Sequence, residues 1–316
     1  MSDAVKTCAT LGFLKPGYVD EVMERWACYS QTDAPALEDC FSREELADID
    51  AIHTSVLATL KTPLQGWRRL IYSRWFVSII VLWQSTTKQA AKCAAAELEH
   101  FCSLLEIAKR YEAETPHDVK RMAMQRTGFE FFGVDRHGVS VLYFRPAITD
   151  SYSIEREWGI ERYRQHMDYF TLFFWDLRYR EAMASGQHRR LIYVVDCSGY
   201  DMDALRRSWA GMGSMTKWCK TYPTGKGPMD GTRTFLIRNV PRMLALLVNA
   251  VGLFMSSKTK ARVRLFSTSQ DAAFQAALFE HVHPTQVPRS MGGECDQPFS
   301  LDRGTAVREE HPNVGG

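Results

Sequence analysis

The sequence of 316 residues contains no hydrophobic run that could cross a membrane. Its longest apolar stretch runs from Trp75 to Trp83 and is interrupted by Ser78, whereas a spanning helix needs about 20 apolar residues. The first residues also lack a basic segment followed by an apolar stretch and a small-residue cleavage site, the pattern of a secretion signal. We therefore expect a cytoplasmic protein.

The motifs of metal and catalytic sites are missing as well. The eight cysteines form no C-x-x-C pair, which argues against a zinc site or a disulfide framework. No complete phosphate loop and no G-x-S-x-G elbow occurs. Asp196 ends a predicted strand, a common catalytic position, but the sequence shows no partner for it. We predict no enzyme, no metal and no cofactor.

Composition is ordinary for a globular protein, with 45% hydrophobic and 24% charged residues. Charge is unevenly spread: residues 1–60 carry 4 basic and 11 acidic side chains, whereas residues 186–264 carry 14 basic and 4 acidic ones. The second region is suited to an anionic partner, although a solvated basic face would look the same in sequence.

The first hundred residues have the pattern of helices. Ser42 and Glu45 have the spacing of a capping box, with an apolar stripe after them. A long helix is predicted from Thr87 to Glu112, ending before Thr115-Pro116. Its predicted buried side consists of Ala91, Ala94, Leu98, Phe101, Leu105 and Ala108.

After Pro116 the pattern alternates between strands and helices. A hairpin is predicted from two β-rich runs, and the segments that follow alternate as helix, strand, helix, strand, helix and strand. This order predicts a mainly parallel sheet covered by helices. The predicted strands are Phe129 to Phe132, Val139 to Phe144, Leu191 to Val195, Thr234 to Ile237 and Val263 to Phe266, and the predicted helices are Ile154 to Ala184, Met202 to Cys219 and one starting at Pro241.

The segment from Pro241 to Met255 is the most apolar helix candidate. Of the fourteen residues 242–255, eleven are apolar, so the helix must be enclosed or must face something apolar on its second side. A central core helix is the alternative. At about 21 Å it is too short to cross a membrane.

Four cations follow this segment directly: Lys258, Lys260, Arg262 and Arg264. An anionic amphiphile would satisfy both features, because its phosphate would pair with the cations and its tails would contact apolar surface. Nucleic acid fits less well, since aliphatic rather than aromatic residues surround these charges.

Six short segments, in order, resemble motifs of the CRAL-TRIO lipid-binding domain family, in a divergent form of the fungal phosphatidylinositol/phosphatidylcholine transfer type. The resemblance covers about residues 115–295. The segments are FGVDRHGVSVLYF (132–144), LIYVVDCSG (191–199), YP (222–223), FLIRNVP (235–241), KTKARV (258–263) and VHPTQVPRSMGG (282–293).

The resemblance implies an α/β fold in which a mixed, mainly parallel sheet flanked by helices forms an apolar lipid cavity, with an N-terminal helical region. It also implies a gate helix over the cavity, here Pro241 to Met255. The resemblance maps lipid-phosphate contacts onto Thr259 and Arg262, and the cation cluster adds Lys258 and Arg264 as candidates. The implied cavity or gate residues are Leu191, Tyr193, Tyr222, Leu244, Leu247, Val248, Val251 and Phe254.

We therefore expect helices over 1–114, a lipid-binding domain over 115–296 and a loose tail over 297–316. The expected function is binding and inter-membrane transfer, or presentation, of a phosphoinositide-type phospholipid. The expected protein is a monomer that touches anionic membranes transiently and binds no nucleic acid. The alternative is a protein-interaction or membrane-docking scaffold of the same fold without lipid exchange.

Overall fold

A computed structural model describes residues 15–30, 34–38, 40–60, 63–83, 87–223, 232–241, 261–299 and 301. The predicted gate helix after Pro241, together with Lys258 and Thr259, lies outside these residues, as does the segment 224–231. No helix in the described ranges is long and apolar enough to span a bilayer.

Helices make up the N-terminal region, as predicted. Ser42 and Glu45 form the predicted capping box, with each side chain accepting from the other residue's backbone N–H. The helices are α1 (Tyr18–Ala27), α2 (Arg43–Thr59), α3 (Arg68–Ile71), α4 (Arg74–Trp83), α5 (Thr87–Glu114) and α6 (His117–Thr127).

The buried face of α5 differs from the prediction at one position. Ala91 is exposed, and Ala90 is buried in its place. Ala90, Ala94, Leu98 and Phe101 recur at intervals of three to four, so they share one face, whereas Ala91 lies about 100° further round the helix.

The sheet is mixed and mainly parallel, as predicted. Its strands are β1 (Phe129–Val134), β2 (Ser140–Phe144), β3 (Leu191–Asp196), β4 (Thr232–Arg238) and β5 (Val263–Leu265). They lie in chain order; β1 and β2 form the antiparallel hairpin, and the other neighbours pair in parallel. The intervening helices are α7 (Ser151–Ser185), which is broken at Gly159, α8 (Met202–Cys219) and, after β5, α9 (Asp271–Phe279).

The last strand is one residue shorter than predicted. Phe266 still donates its N–H to Ile237 (2.8 Å), but its ring packs against Phe274 of α9, with centroids 5.7 Å apart. Ser267 then begins a capped 3-10 turn. Packing beneath the sheet therefore turns the chain away one residue early.

Each face of the sheet belongs to a separate core, because side chains alternate along a strand. Leu142 of β2 faces the larger core, formed with the N-terminal helices and α7. Val141 and Tyr143 face the smaller one, formed with α9 and the C-terminal segment. In the larger core every residue of α7 from 166 to 179 is buried.

The C-terminal segment is fastened to the first strands. Leu301 donates its N–H to the buried Glu130 carboxylate (3.0 Å), and Arg145 donates to the Leu301 carbonyl (2.9 Å). Gly133, at the β1 bulge, has φ 60°, and a Cβ there would overlap the carbonyl oxygen of Gln286. This close approach requires glycine.

Candidate functional site

The face of the sheet toward the larger core carries two rows of apolar side chains that run from strand to strand. Pairing aligns Tyr193, Phe235 and Val263 in one row across β3 to β5. The second row runs from Phe144 through Val195 to Ile237 and Leu265. Val195, in the middle of the second row, is buried. We call the other six residues the platform: Phe144, Tyr193, Phe235, Ile237, Val263 and Leu265.

The platform is only partly covered. All six of its side chains are half-buried. On the opposite face of β2 to β4, Val141, Ile192, Val194 and Leu236 are fully buried, whereas Arg264 of β5 is exposed. Over β2 to β4 that face is therefore sealed, while the platform keeps apolar surface accessible toward the β4–β5 edge.

Aromatic rings make up the β1 to β4 side of this surface. Phe129 stacks on Phe144 with centroids 4.6 Å apart, and Tyr193 meets Phe235 edge to face at 5.2 Å. Such contacts fix the rings in place, which makes the platform a preformed apolar surface.

The predicted cavity residue Tyr193 lies in the middle of the platform. Burial raises the pKa of its hydroxyl, yet the side chain keeps accessible surface. No other described residue makes a hydrogen bond with this hydroxyl, whereas those of Tyr18 and Tyr222 donate to Asp176 and Asp168. Tyr193 thus presents one polar atom on an otherwise apolar surface.

Two other predicted cavity residues are enclosed by protein. Leu191 is 1% exposed at the start of β3. Tyr222 is 2% exposed, donates to Asp168 (3.2 Å) and packs edge to face on Trp218 and His100. Leu244, Leu247, Val248, Val251 and Phe254 lie outside the described residues.

The two described cations of the predicted phosphate site have different surroundings. Arg264 pairs with Glu280 (3.0 Å) on the exterior. In β5 it alternates with Val263 and Leu265, so it points away from the platform. Arg262 lies just before β5 and is half-buried, and its carbonyl accepts from the Phe235 N–H (2.7 Å), so the same alternation also places it on the face of Arg264. Unlike Arg264, it makes no ion pair with a described residue, which leaves its charge available to an anion at the β5 edge.

Asp196 has partners that were not evident in sequence. It pairs with Arg145 (3.0 Å) and accepts from Asn239 (2.9 Å) and the Ser198 hydroxyl (2.7 Å). Burial opposes its ionisation, but these hydrogen bonds and the Arg145 charge lower its pKa overall. Arg238 lies 3.9 Å from Asp196 and also pairs with Asp271 and donates to the Ser290 carbonyl. The Asp196 carboxylate therefore has several protein partners and holds the strand ends together.

The signal for this cluster was present in the sequence. Arg145 follows β2, Asp196 ends β3, and Arg238 and Asn239 end β4. Because carboxyl ends of parallel strands meet at one sheet edge, charges at these positions come together. The signal for the platform was the alternation of side chains along β4 and β5. Only the strand pairing in the structure shows which residues share a row.

The profile of the CRAL/TRIO domain matches residues 125–293, just over half of the chain. The chain belongs to the CRAL/TRIO family. Proteins of this family bind hydrophobic lipid ligands. The matched residues include β1 to β5 and therefore the whole platform.

Comparison with solved structures gives 32 matching chains. One is the crystal structure of Sfh5, with a TM-score of 0.48 and 9% sequence identity. The match covers 86% of this CRAL/TRIO chain and 98% of that one. No curated protein matches the sequence.

Proposed function

We propose that this CRAL/TRIO chain binds a phospholipid on the platform and transfers it between membranes or presents it to another protein. The observation that carries the proposal is the contrast between the two faces of the sheet, since one is sealed over β2 to β4 and the other is apolar but half-covered. Burying an acyl chain of ~15 methylenes stabilises a complex by roughly 12 kcal/mol at ~0.8 kcal/mol per CH₂. A gain of this size is enough to offset extraction from a bilayer.

The ligand is proposed to be a phosphoinositide-type lipid. Arg262 directly precedes β5, where alternation places it on the face of Arg264, and it makes no ion pair with a described residue. Its guanidinium would therefore meet a phosphate at the β5 edge of the sheet, with two parallel N–H donors. Lys258 and Thr259 precede it in the sequence and are proposed as further contacts. The Glu280 partner of Arg264 makes Arg264 the weaker candidate.

The segment from Pro241 to Met255 is proposed as the gate that covers the bound lipid, with Leu244, Leu247, Val248, Val251 and Phe254 against its tails. The reaction is proposed to involve no covalent chemistry and no cofactor. The protein is proposed to act as a cytoplasmic monomer that meets membranes peripherally.

The decisive experiment is mass spectrometry of lipids extracted from the purified protein, followed by uptake of fluorescent phosphatidylinositol from vesicles. We expect a co-purifying lipid and saturable uptake. Absence of both would overturn lipid transfer and favour the scaffold function.

A matched pair of substitutions tests the platform. Val263→Asp places a carboxylate on the platform, where lipid tails would have to desolvate it. Val134→Asp makes the same change at a 37% exposed position at the end of β1. Uptake should fall strongly in the first variant and stay near that of the parent in the second. Equal uptake would move the ligand away from the platform.

The headgroup assignment has its own matched pair. Arg262→Ala should weaken binding of phosphatidylinositol about tenfold or more, in the range of one lost charge-assisted bond. Arg264→Ala removes a cation that already pairs with Glu280 and should have a smaller effect. The reverse order would place the phosphate at Arg264.

A further inference from the structure

Exposed apolar side chains are concentrated on one helix. Four large hydrophobic side chains are exposed among the residues that the structure describes, and three of them belong to α8. Trp209 is 67% exposed, Met202 61% and Met212 52%. The fourth, Val134, is on the β1 hairpin.

The three side chains share one face of α8. At about 100° per residue, Met202, Trp209 and Met212 fall within a strip about 80° wide. We call these three residues the α8 strip. Arg206 and Lys217, both exposed, lie along one border of the strip, where Arg206 pairs with Asp203 (3.5 Å) and Lys217 with Glu155 (2.5 Å). The exposed face of α8 is thus amphipathic, with the apolar α8 strip beside a row of charged side chains.

The inward face of α8 is packed. Trp218 is 1% exposed and donates its indole N–H to Asp168 of α7 (2.7 Å). Between this face and the α8 strip, Met215 and Cys219 are partly buried against the larger core. Apolar surface therefore continues from the larger core, against which Phe144 and Tyr193 of the platform pack, to the exterior at Met212.

A protein partner fits this surface poorly. A stable protein interface buries about 800 Å² per partner, whereas one aromatic and two Met side chains offer on the order of 500 Å². A bilayer needs no matched surface. Trp concentrates at membrane interfaces, and interfacial helices place cations beside their apolar face. The helix also lies in the region 186–264 with 14 basic and 4 acidic residues.

We propose that the α8 strip docks the protein on an anionic membrane, with Trp209 entering the interfacial layer. This inference rests on the proposed function, since it names the surface at which lipid would be exchanged. Arg206 and Lys217 would remain at the level of the headgroups, where lipid phosphates would compete with Asp203 and Glu155 for their charges.

Co-sedimentation with phosphatidylcholine–phosphatidylserine vesicles tests the docking surface. Trp209→Ala should weaken vesicle binding about tenfold, Trp209→Phe should restore part of it, and Val134→Ala should match the parent. Met202→Ser/Met212→Ser is a second, independent variant with the same expected direction. Melting temperatures of all variants should stay close to the parent because these side chains are exposed.

Lipid content separates this inference from the proposed function. Trp209→Ala should keep the lipid that co-purifies with the parent while transferring fluorescent phosphatidylinositol more slowly. If no variant carries lipid, lipid transfer fails, but Trp209-dependent vesicle binding would still support docking. Equal vesicle binding by Trp209→Ala and the parent would overturn docking. Sedimentation velocity without vesicles gives a second test. A dimer of the parent that dissociates in Trp209→Ala would also overturn docking, because a second copy of the chain would then cover the α8 strip.

Discussion

The buried carboxyl group of Asp168 should make the stability of this protein depend on pH. Asp168 of α7 is 5% exposed and accepts from Trp218 (2.7 Å) and Tyr222 (3.2 Å). Burial is the largest influence and raises its pKa from 3.8 to about 6, although both hydrogen bonds oppose the increase. Glu161 raises the pKa further, and Arg164 lowers it.

The sign follows from the two states. The unfolded chain loses this proton near pH 3.8, whereas the folded protein holds it until about pH 6. The stabilising contribution is therefore complete below pH 3.8 and is lost as the pH rises through about 6. The difference between the two pKa values corresponds to about 3 kcal/mol.

Asp168→Asn keeps an acceptor for both donors and removes the titration. We expect the free energy of unfolding of the variant, relative to the parent, to rise by about 2 kcal/mol between pH 4 and pH 7, since part of the full difference is already lost at pH 4. Urea denaturation at four pH values across this range would measure it, because the comparison cancels other titrating groups. Glu106→Gln, an exposed change on α5, is the control. A difference between Asp168→Asn and the parent that does not vary with pH would refute the reasoning.

Three further stability predictions concern a buried histidine, an asparagine with positive φ and a helix N-cap. Burial lowers the pKa of His166 to about 4, so stability present above its unfolded pKa near 6.5 is lost on acidification, by about 2 kcal/mol at pH 5; His166→Gln should reduce this loss in thermal unfolding at pH 5 and 7. Asn239 has φ 54° and donates to Asp196 and Ser198. Asn239→Ala should lower the free energy of unfolding by about 3 kcal/mol, and Asn239→Gly by about 1 kcal/mol less, because glycine adopts positive φ without strain. Equal losses of stability in urea denaturation would exclude backbone strain. Ser42→Ala should cost about 1 kcal/mol by losing the α2 cap, and no change in the urea midpoint would contradict that role.

Local patterns were enough to predict most of the fold. The capping box at Ser42 depends on residues three apart, and the predicted helix Met202 to Cys219 has the bounds found for α8. The apolar runs in β3 and β4 predicted parallel strands, because such strands are commonly covered on both faces. In β4 the prediction of burial was only partly correct, since Phe235 and Ile237 are half-buried. These features are encoded within single segments.

Features that depend on distant contacts were less accessible. The pairing of Asp196 with Arg145 joins residues 51 apart, and the place of Tyr222 depends on Asp168, 54 residues away. Sequence alternation could not show that Trp209 is exposed, because α8 has apolar residues on its buried face as well. Which apolar residues are covered is decided by neighbouring elements, not by the segment itself.

The attachment of Leu301 to the first strands has a consequence for how the protein folds during synthesis. Strand order in the sheet follows chain order, so each new strand can pair with one already made. The smaller core, by contrast, needs α9 and a hydrogen bond between residues 171 apart. Until Leu301 has left the ribosome, Val141, Ile192 and Val194 have no complete cover, and such surfaces promote aggregation. The growing chain therefore depends on the arrival of α9 and Leu301 to protect a sheet whose strands can already pair.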